Sequence, residues 1–322
     1  MQSDPHSIEK AFLTSLREGI VELSRDWNRA AMPKIGLFEK RRAGMSLHPL
    51  PASDFATDSR YFFDEKGRCV FVFFPDEYSA IDYEATRVFV AGEFSGWDQA
   101  IGASEWAMSK DVVEGREALV LRCNLQRLKK QDTLQFKFVT DQGHWLPVDA
   151  AAPNVENDGT GNWNYLVCKA KSGRHRLGFV LENPMDLSEN NYISFRSRTK
   201  KHPAAYLDPG SFFYDLRSEK AMGAVLEGDQ TIFRLFAPRA KWVKVGVFRE
   251  LDKADSVDWI VMERDGDFVW EASFDQNLSG CYYWFRLDGP QCEFSLFDPE
   301  RRVLDPYAKA TVSREGPGIV ID

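Results

Sequence analysis

Two tryptophans, Trp97 and Trp145, stand in turn-rich stretches, and Lys137 lies between them in sequence, flanked by Phe136 and Phe138. A little further on, Thr160 and Asn162 sit in the run Asp158-Gly-Thr-Gly-Asn162. These residue types suit recognition of a pyranose, a ring with a C–H face and a rim of hydroxyls. Flat aromatic side chains supply the platform, and a few fixed polar groups read the rim. Side chains alternate across a strand, so with Phe136 and Phe138 facing a core, Lys137 faces outward. Trp97 closes the loop after the apolar run Val88-Phe-Val90, and Trp145 follows the turn Asp141-Gln-Gly-His144. Plainer readings stand beside this one. Tryptophans in β-sandwiches commonly pack in the core, and Thr160 and Asn162 in a glycine-rich run can simply shape a turn. His144 is a neighbour that could touch the same ligand, whereas Trp163 is read as starting a strand and packing.

Covalent chemistry is harder to find. With 49 acidic side chains, carboxylate pairs can be drawn anywhere, so their presence carries no signal. His6, His48, His144, His175 and His202 form no metal or triad pattern, and there is no phosphate-binding loop of the GxxxxGK type. A (β/α)8 barrel needs about 250 residues, and no such span is free. Cys69, Cys123, Cys168, Cys281 and Cys292 are odd in number and widely spaced, which argues against a disulfide framework and a zinc site. No catalytic residue, metal or cofactor is therefore expected. The formal charge of −8 argues against nucleic acid as a partner. The short basic runs Lys40-Arg41-Arg42, Lys129-Lys130 and Arg196 to His202 are read as solvated faces or loops. No apolar run approaches 18 residues, so no membrane span is expected. The first residues lack the basic and apolar regions of a secretory signal, and a cytoplasmic location is the expectation.

The elements that must position these residues are short β runs. Cys69-Val-Phe-Val-Phe-Phe74, Arg87–Val90, Ala118–Leu121, Leu134–Val139 and Trp163–Val167 are separated by turn residues, the pattern of an antiparallel sandwich. The order then recurs about one domain length later in Thr231–Phe236, Val243–Val247, Phe268–Phe274 and Tyr282–Leu287. Between the copies, Leu177–Leu181 and Tyr192–Phe195 are strand-like. At the start, Ile8, Phe12, Leu16, Ile20 and Leu23 fall on one helical face, with Asp4 as cap and Pro5 at the first turn. Prolines and glycines between Met32 and Arg60 predict an irregular wrap. The fold class expected is mostly β: two tandem immunoglobulin-like (early-set) β-sandwiches with an N-terminal helix and a β-containing linker. The expected divisions are 1–60 for the helix and wrap, 61–170 for the first sandwich, 171–210 for the linker and 211–322 for the second sandwich.

Three words in the first copy carry a family likeness: Gly92-Glu-Phe-Ser-Gly-Trp97, Phe136-Lys-Phe-Val-Thr-Asp141 with Trp145 after it, and Asp158-Gly-Thr-Gly-Asn162. Together they resemble a family 48 carbohydrate-binding module, the glycogen-binding type, over about residues 85–168. The resemblance implies that Trp97 and Trp145 stack on glucose rings while Lys137, Thr160 and Asn162 hydrogen-bond hydroxyls. The second copy resembles the module that precedes the barrel in type I pullulanases of glycoside hydrolase family 13. That likeness runs through Leu226–Pro238, Leu278–Tyr283 and Leu304-Asp-Pro-Tyr-Ala-Lys-Ala310. In that family the last string leads into the catalytic barrel, which is then the expected C-terminal neighbour. Phe285-Arg-Leu-Asp288 is similar to the family's nucleophile word, but Trp284 replaces its glycine and the string fits the repeated hairpin.

The resemblance implies a non-catalytic, α-1,4-glucan- or maltooligosaccharide-binding portion of a starch- or glycogen-debranching hydrolase. Trp242, Trp259, Trp270 and Trp284 of the second copy are read as core or interface residues of a platform. The alternatives are a protein–protein interaction scaffold on a degenerate carbohydrate-binding fold and a complete small enzyme of unrecognised type.

Overall fold

The computed structural model describes residues 7–27, 32–38, 44–78, 86–196, 201–291 and 296–322. The Asp4–Pro5 cap, the basic run at 40–42, most of the run at 196–202 and Cys292 lie outside the described residues. The chain divides into two compact units, one built mainly on Glu18–Glu182 and the other mainly on Tyr206–Asp322. The segment read as a linker is shared between them: Ile193–Ala205 belongs with the first and Asn183–Tyr192 with the second.

The first unit contains a β-sandwich of two four-stranded antiparallel sheets. One runs in the order Tyr61–Phe63, Cys69–Phe73, Arg116–Cys123, Ser109–Val113. The other runs Val155–Asn157, Trp163–Cys168, Thr133–Thr140, Val88–Gly92. Alternation along each strand sends one set of side chains between the sheets. Tyr61, Phe71, Phe73, Val90, Phe136 and Phe138 are among those that meet there. Aromatic rings make edge-on contacts across this core, Phe71 against Phe136 at 4.8 Å and Phe73 against Phe138 at 5.2 Å between centroids. The outer face of the second sheet carries a smaller apolar cluster, in which Phe89, Ala91, Ala100 and Val139 are buried and Trp97 packs on them.

The N-terminal helix expected from apolar spacing is not formed. Ile8–Leu13 and Glu18–Leu23 are strands, and Arg176–Leu181 lies between Glu18–Leu23 and Met45–Pro49 in a separate four-stranded sheet. The residues buried are Ala11, Leu13, Val21 and Leu23, which follow a period of two, while Ile8, Phe12 and Ile20 are only half-buried. Long-range pairing with residues 176–181 thus overrides a helical period that was incidental. Gly19 makes the pairing possible: it stands opposite Phe179, and a Cβ on it would fall 2.3 Å from that ring. The irregular wrap is corrected too, because Ile35–Leu37 pairs with Tyr192–Phe195 and Met45–Pro49 is a strand.

The second unit is also a β-sandwich. Gly223–Glu227, Gln230–Phe236, Val269–Phe274 and Glu263–Arg264 form one sheet. Trp259–Val261, Trp242–Phe248, Tyr282–Asp288, Gly318–Ile319 and Ala310–Thr311 form the other. Phe233, Leu235, Val243, Val245 and Phe285 are buried between them. Asp305 is also buried; it accepts the Tyr283 hydroxyl at 2.7 Å and the Tyr307 amide at 2.8 Å, so its polar atoms are satisfied.

Candidate functional site

Three connections of the first sandwich converge on the outer face of its second sheet. The first follows Val88–Gly92. Ser95 Oγ accepts the Gly92 amide at 2.9 Å and donates back to the Gly92 carbonyl at 3.1 Å, closing the turn. Gly96 and Trp97 then both take positive φ, 74° and 56°. The first suits glycine; the second is uncommon for a bulky side chain and marks a residue that its surroundings hold in place. One side of Trp97 packs on the Phe89–Ala91 cluster.

The second connection is the hairpin after Thr133–Thr140. The Thr140 amide donates to the His144 carbonyl at 3.0 Å, and the His144 amide donates to Thr140 Oγ1 at 3.1 Å. Leu146 is drawn into the core, which leaves Trp145 39% exposed, presenting an apolar ring to solvent. The Trp97 and Trp145 rings lie 6.1 Å apart between centroids with their planes at 55°, an open V.

The third connection, between Val155–Asn157 and Trp163–Cys168, is organised by Asp158. Its Oδ1 accepts the Thr160 amide at 2.9 Å, the Thr160 hydroxyl at 2.6 Å and the Asn162 amide at 3.3 Å. Its Oδ2 accepts the Asn162 side-chain NH2 at 3.2 Å. These donors favour the carboxylate, with the Thr160 hydroxyl first among them, and hold its pKa down at about 2. With its NH2 turned to Asp158, Asn162 presents Oδ1 to Lys137, whose Nζ donates to it at 2.6 Å. Burial pushes the Lys137 ammonium below its ordinary value, and the nearby Asp158 charge opposes that shift.

Trp97, Lys137, Trp145, Asn162 and Asn164 line one open concavity of about 360 Å³. The structure thus brings together four of the five residues singled out from the sequence. Thr160 is not brought into the lining; its hydroxyl is engaged by Asp158, and it serves the loop's shape. His144 contributes its backbone to the hairpin and does not line the concavity. Asn164 is the residue missed. Tyr165 and Val167 face the core, so alternation along Trp163–Cys168 turns Asn164 to the same face as Lys137; its orientation, though not its role, is readable from the sequence.

The second sandwich carries no comparable set among its described residues. Trp270 and Trp284 are buried, and Trp270 Nε1 donates to the Ala237 carbonyl at 3.2 Å. Trp242 lies under Lys244 and Trp259 under Arg286. Phe285-Arg-Leu-Asp288 is the end of a strand paired with Trp242–Phe248, its phenylalanine in the core. Among the described residues, no three His, Cys, Asp or Glu side chains are grouped to hold a metal ion, and no helix is long and apolar enough to cross a membrane.

Residues 221–308 match the family model of carbohydrate-binding module 48, described as the isoamylase N-terminal domain. The matched stretch covers most of the second sandwich, whereas the aromatic concavity lies on the first. Among solved structures, pullulanase from Bacillus acidopullulyticus is similar at 15% identity over 98% of this chain and 37% of its own, with a TM-score of 0.43. Pullulanase from Anoxybacillus sp. LM18-11, complexed with maltotriose, is similar at 14% identity over 82% of this chain and 27% of its own, with a TM-score of 0.33. Pullulanase from Paenibacillus barengoltzii, in complex with maltohexaose and α-cyclodextrin, is 24% identical over 35% of this chain and 17% of its own, with a TM-score of 0.30. The chain spans well under half the length of these pullulanases.

Proposed function

We propose that the first sandwich binds α-1,4-linked glucan, and that the chain is the non-catalytic, glucan-recognising part of a family 13 debranching hydrolase. In that reading a catalytic barrel lies C-terminal to it in the natural polypeptide, and the second sandwich is the platform beside that barrel. The observation that carries the glucan reading is the meeting of Trp97, Trp145 and Asn162, from three separate connections, with Lys137, from the strand Thr133–Thr140, around one concavity. Two tilted aromatic planes suit successive glucose rings of a curved α-1,4 chain better than a flat ribbon, because each ring's C–H face turns relative to the last. Lys137, in the same lining, supplies N–H donors that sugar hydroxyls can accept. The family match of the second sandwich supports the placement of the chain among carbohydrate-binding proteins.

Two stacked rings and a few hydrogen bonds correspond to a Kd between about millimolar and about micromolar. The test is calorimetric titration with maltoheptaose and β-cyclodextrin, beside the double variant Trp97→Ala/Trp145→Ala. Heat from the natural chain and none from the folded variant supports the reading. A folded natural chain that gives no heat and does not co-sediment with glycogen rejects it in favour of an interaction scaffold.

A further inference from the structure

We propose that Asn164 is a further glucan contact, whose side-chain carbonyl accepts a hydroxyl from the same ring that Lys137 donates to. The inference rests on the glucan reading of the concavity and adds to it the polarity of one contact. Asn164 is 4% exposed and lines the concavity. Its Nδ2 donates to Gln135 Oε1 at 3.0 Å, and Gln135 Nε2 donates to Glu156 Oε2 at 3.0 Å. A carboxylate only accepts, so Glu156 fixes which end of the Gln135 amide faces it. The Gln135 oxygen must then face Asn164, and Asn164 must offer its NH2 to Gln135. The Asn164 oxygen is left without a partner, shut away from bulk water.

A buried acceptor left unpaired is unfavourable, and a ligand that satisfies it regains that free energy on binding. The antiparallel register that pairs Phe136 with Tyr165 sets Asn164 across from Lys137 on the outer face. The flexible Lys137 stem can rotate to admit a sugar hydroxyl between them. One adjacent donor and one adjacent acceptor match the free vicinal 2- and 3-hydroxyls of an internal α-1,4-linked glucose, one accepting from Lys137 and the other donating to Asn164. This relay also makes Glu156, which does not line the concavity, a positioning residue.

The experiment is titration of the full chain with maltoheptaose, using Asn164→Leu, Glu156→Leu and Trp145→Ala, each checked for folding by circular dichroism. Asn164→Leu should weaken binding about five- to twentyfold, and Glu156→Leu about two- to fivefold, because the amide then loses its fixed polarity. The resonances of the Asn164 side-chain amide should shift on maltoheptaose addition in the natural chain, and be displaced already in unliganded Glu156→Leu. Should Asn164→Leu fail to fold, the Glu156→Leu affinity and these shifts decide the matter. If Trp145→Ala abolishes binding while Asn164→Leu and Glu156→Leu bind like the natural chain, the Asn164 contact is overturned and the glucan site stands. If Trp145→Ala binds as well as the natural chain, the glucan site itself falls, and the contact with it.

Discussion

Lys137 Nζ donates to Asn162 Oδ1 across 2.6 Å, so one hydrogen bond ties the middle of a sheet strand to the loop that Asp158 shapes. Burial opposes the charge on Lys137, which means the lysine is held there at some cost to stability. Lys137→Met keeps the apolar stem and removes the charge. We expect it to lose about tenfold or more in affinity for maltoheptaose while its Tm stays unchanged or rises, measured by calorimetry and thermal denaturation.

The two tryptophans should separate binding from stability. Trp145 is 39% exposed, whereas Trp97 packs on Phe89, Ala91, Ala100 and Val139. Trp145→Ala should abolish measurable binding with little change in Tm. Trp97→Ala should abolish binding and also cost about 1–3 kcal/mol of folding stability, read by denaturant titration.

The Asp158 carboxylate gives the loop an acid limit. Its folded pKa of about 2 lies below the ordinary 3.8, so its contribution is complete above about 3.8 and is lost as pH falls through about 2. Glucan affinity should be level around neutrality and fall on the acid side of that window. Asp158→Asn, which has no such titration, should bind more weakly and lose the acid limb, as followed by tryptophan fluorescence.

His175 gives the first unit a separate dependence. Burial, helped by the nearby positive charges of Lys171 and Arg176, holds its pKa down at about 3 against an ordinary 6.5. Asp26 Oδ1, 3.9 Å from Nδ1, is too distant to hold the proton against them. Between 6.5 and 3 the unfolded chain binds a proton that the folded one refuses, so stability falls as pH falls through that range. The loss should be on the order of 2–3 kcal/mol between about pH 7 and about pH 4. Urea titrations at several pH values would measure it, and His175→Leu should flatten the slope.

Gly19→Ala tests the close approach of two strands. The new Cβ would meet the Phe12 carbonyl oxygen and the Phe179 ring, both at 2.3 Å. We expect a loss of about 2–4 kcal/mol or failure to fold, seen as a lowered Tm.

The sandwiches were legible because their strands are short, apolar and separated by turn residues, as in Cys69–Phe73 and Thr133–Thr140. The start of the chain was not, because Ile8, Phe12, Leu16, Ile20 and Leu23 happen to satisfy a helical period. The partner that makes residues 8–23 strands lies at Arg176–Leu181, outside any local window. In the site, Trp97, Trp145 and Lys137 were legible from residue type and strand alternation. Thr160 lies outside the lining, since a hydroxyl two residues from an aspartate is as ready to donate locally as to a ligand. Asn164 was passed over because one polar residue on a strand is ordinary surface until its neighbours are known. Only the Gln135–Glu156 relay distinguishes it.

The position of Arg176–Leu181 between Glu18–Leu23 and Met45–Pro49 also sets an order of events during synthesis. The early strands leave the ribosome first, yet their central partner is made only after the whole sandwich of residues 61–168. At about 5–20 residues per second they wait roughly ten to thirty seconds with unpaired edges. The sandwich can therefore fold on the ribosome ahead of the segment that precedes it. A nascent chain arrested when residue 170 has just emerged from the exit tunnel should hold a finished sandwich and a protease-sensitive leading segment, which becomes resistant only once residue 181 has emerged.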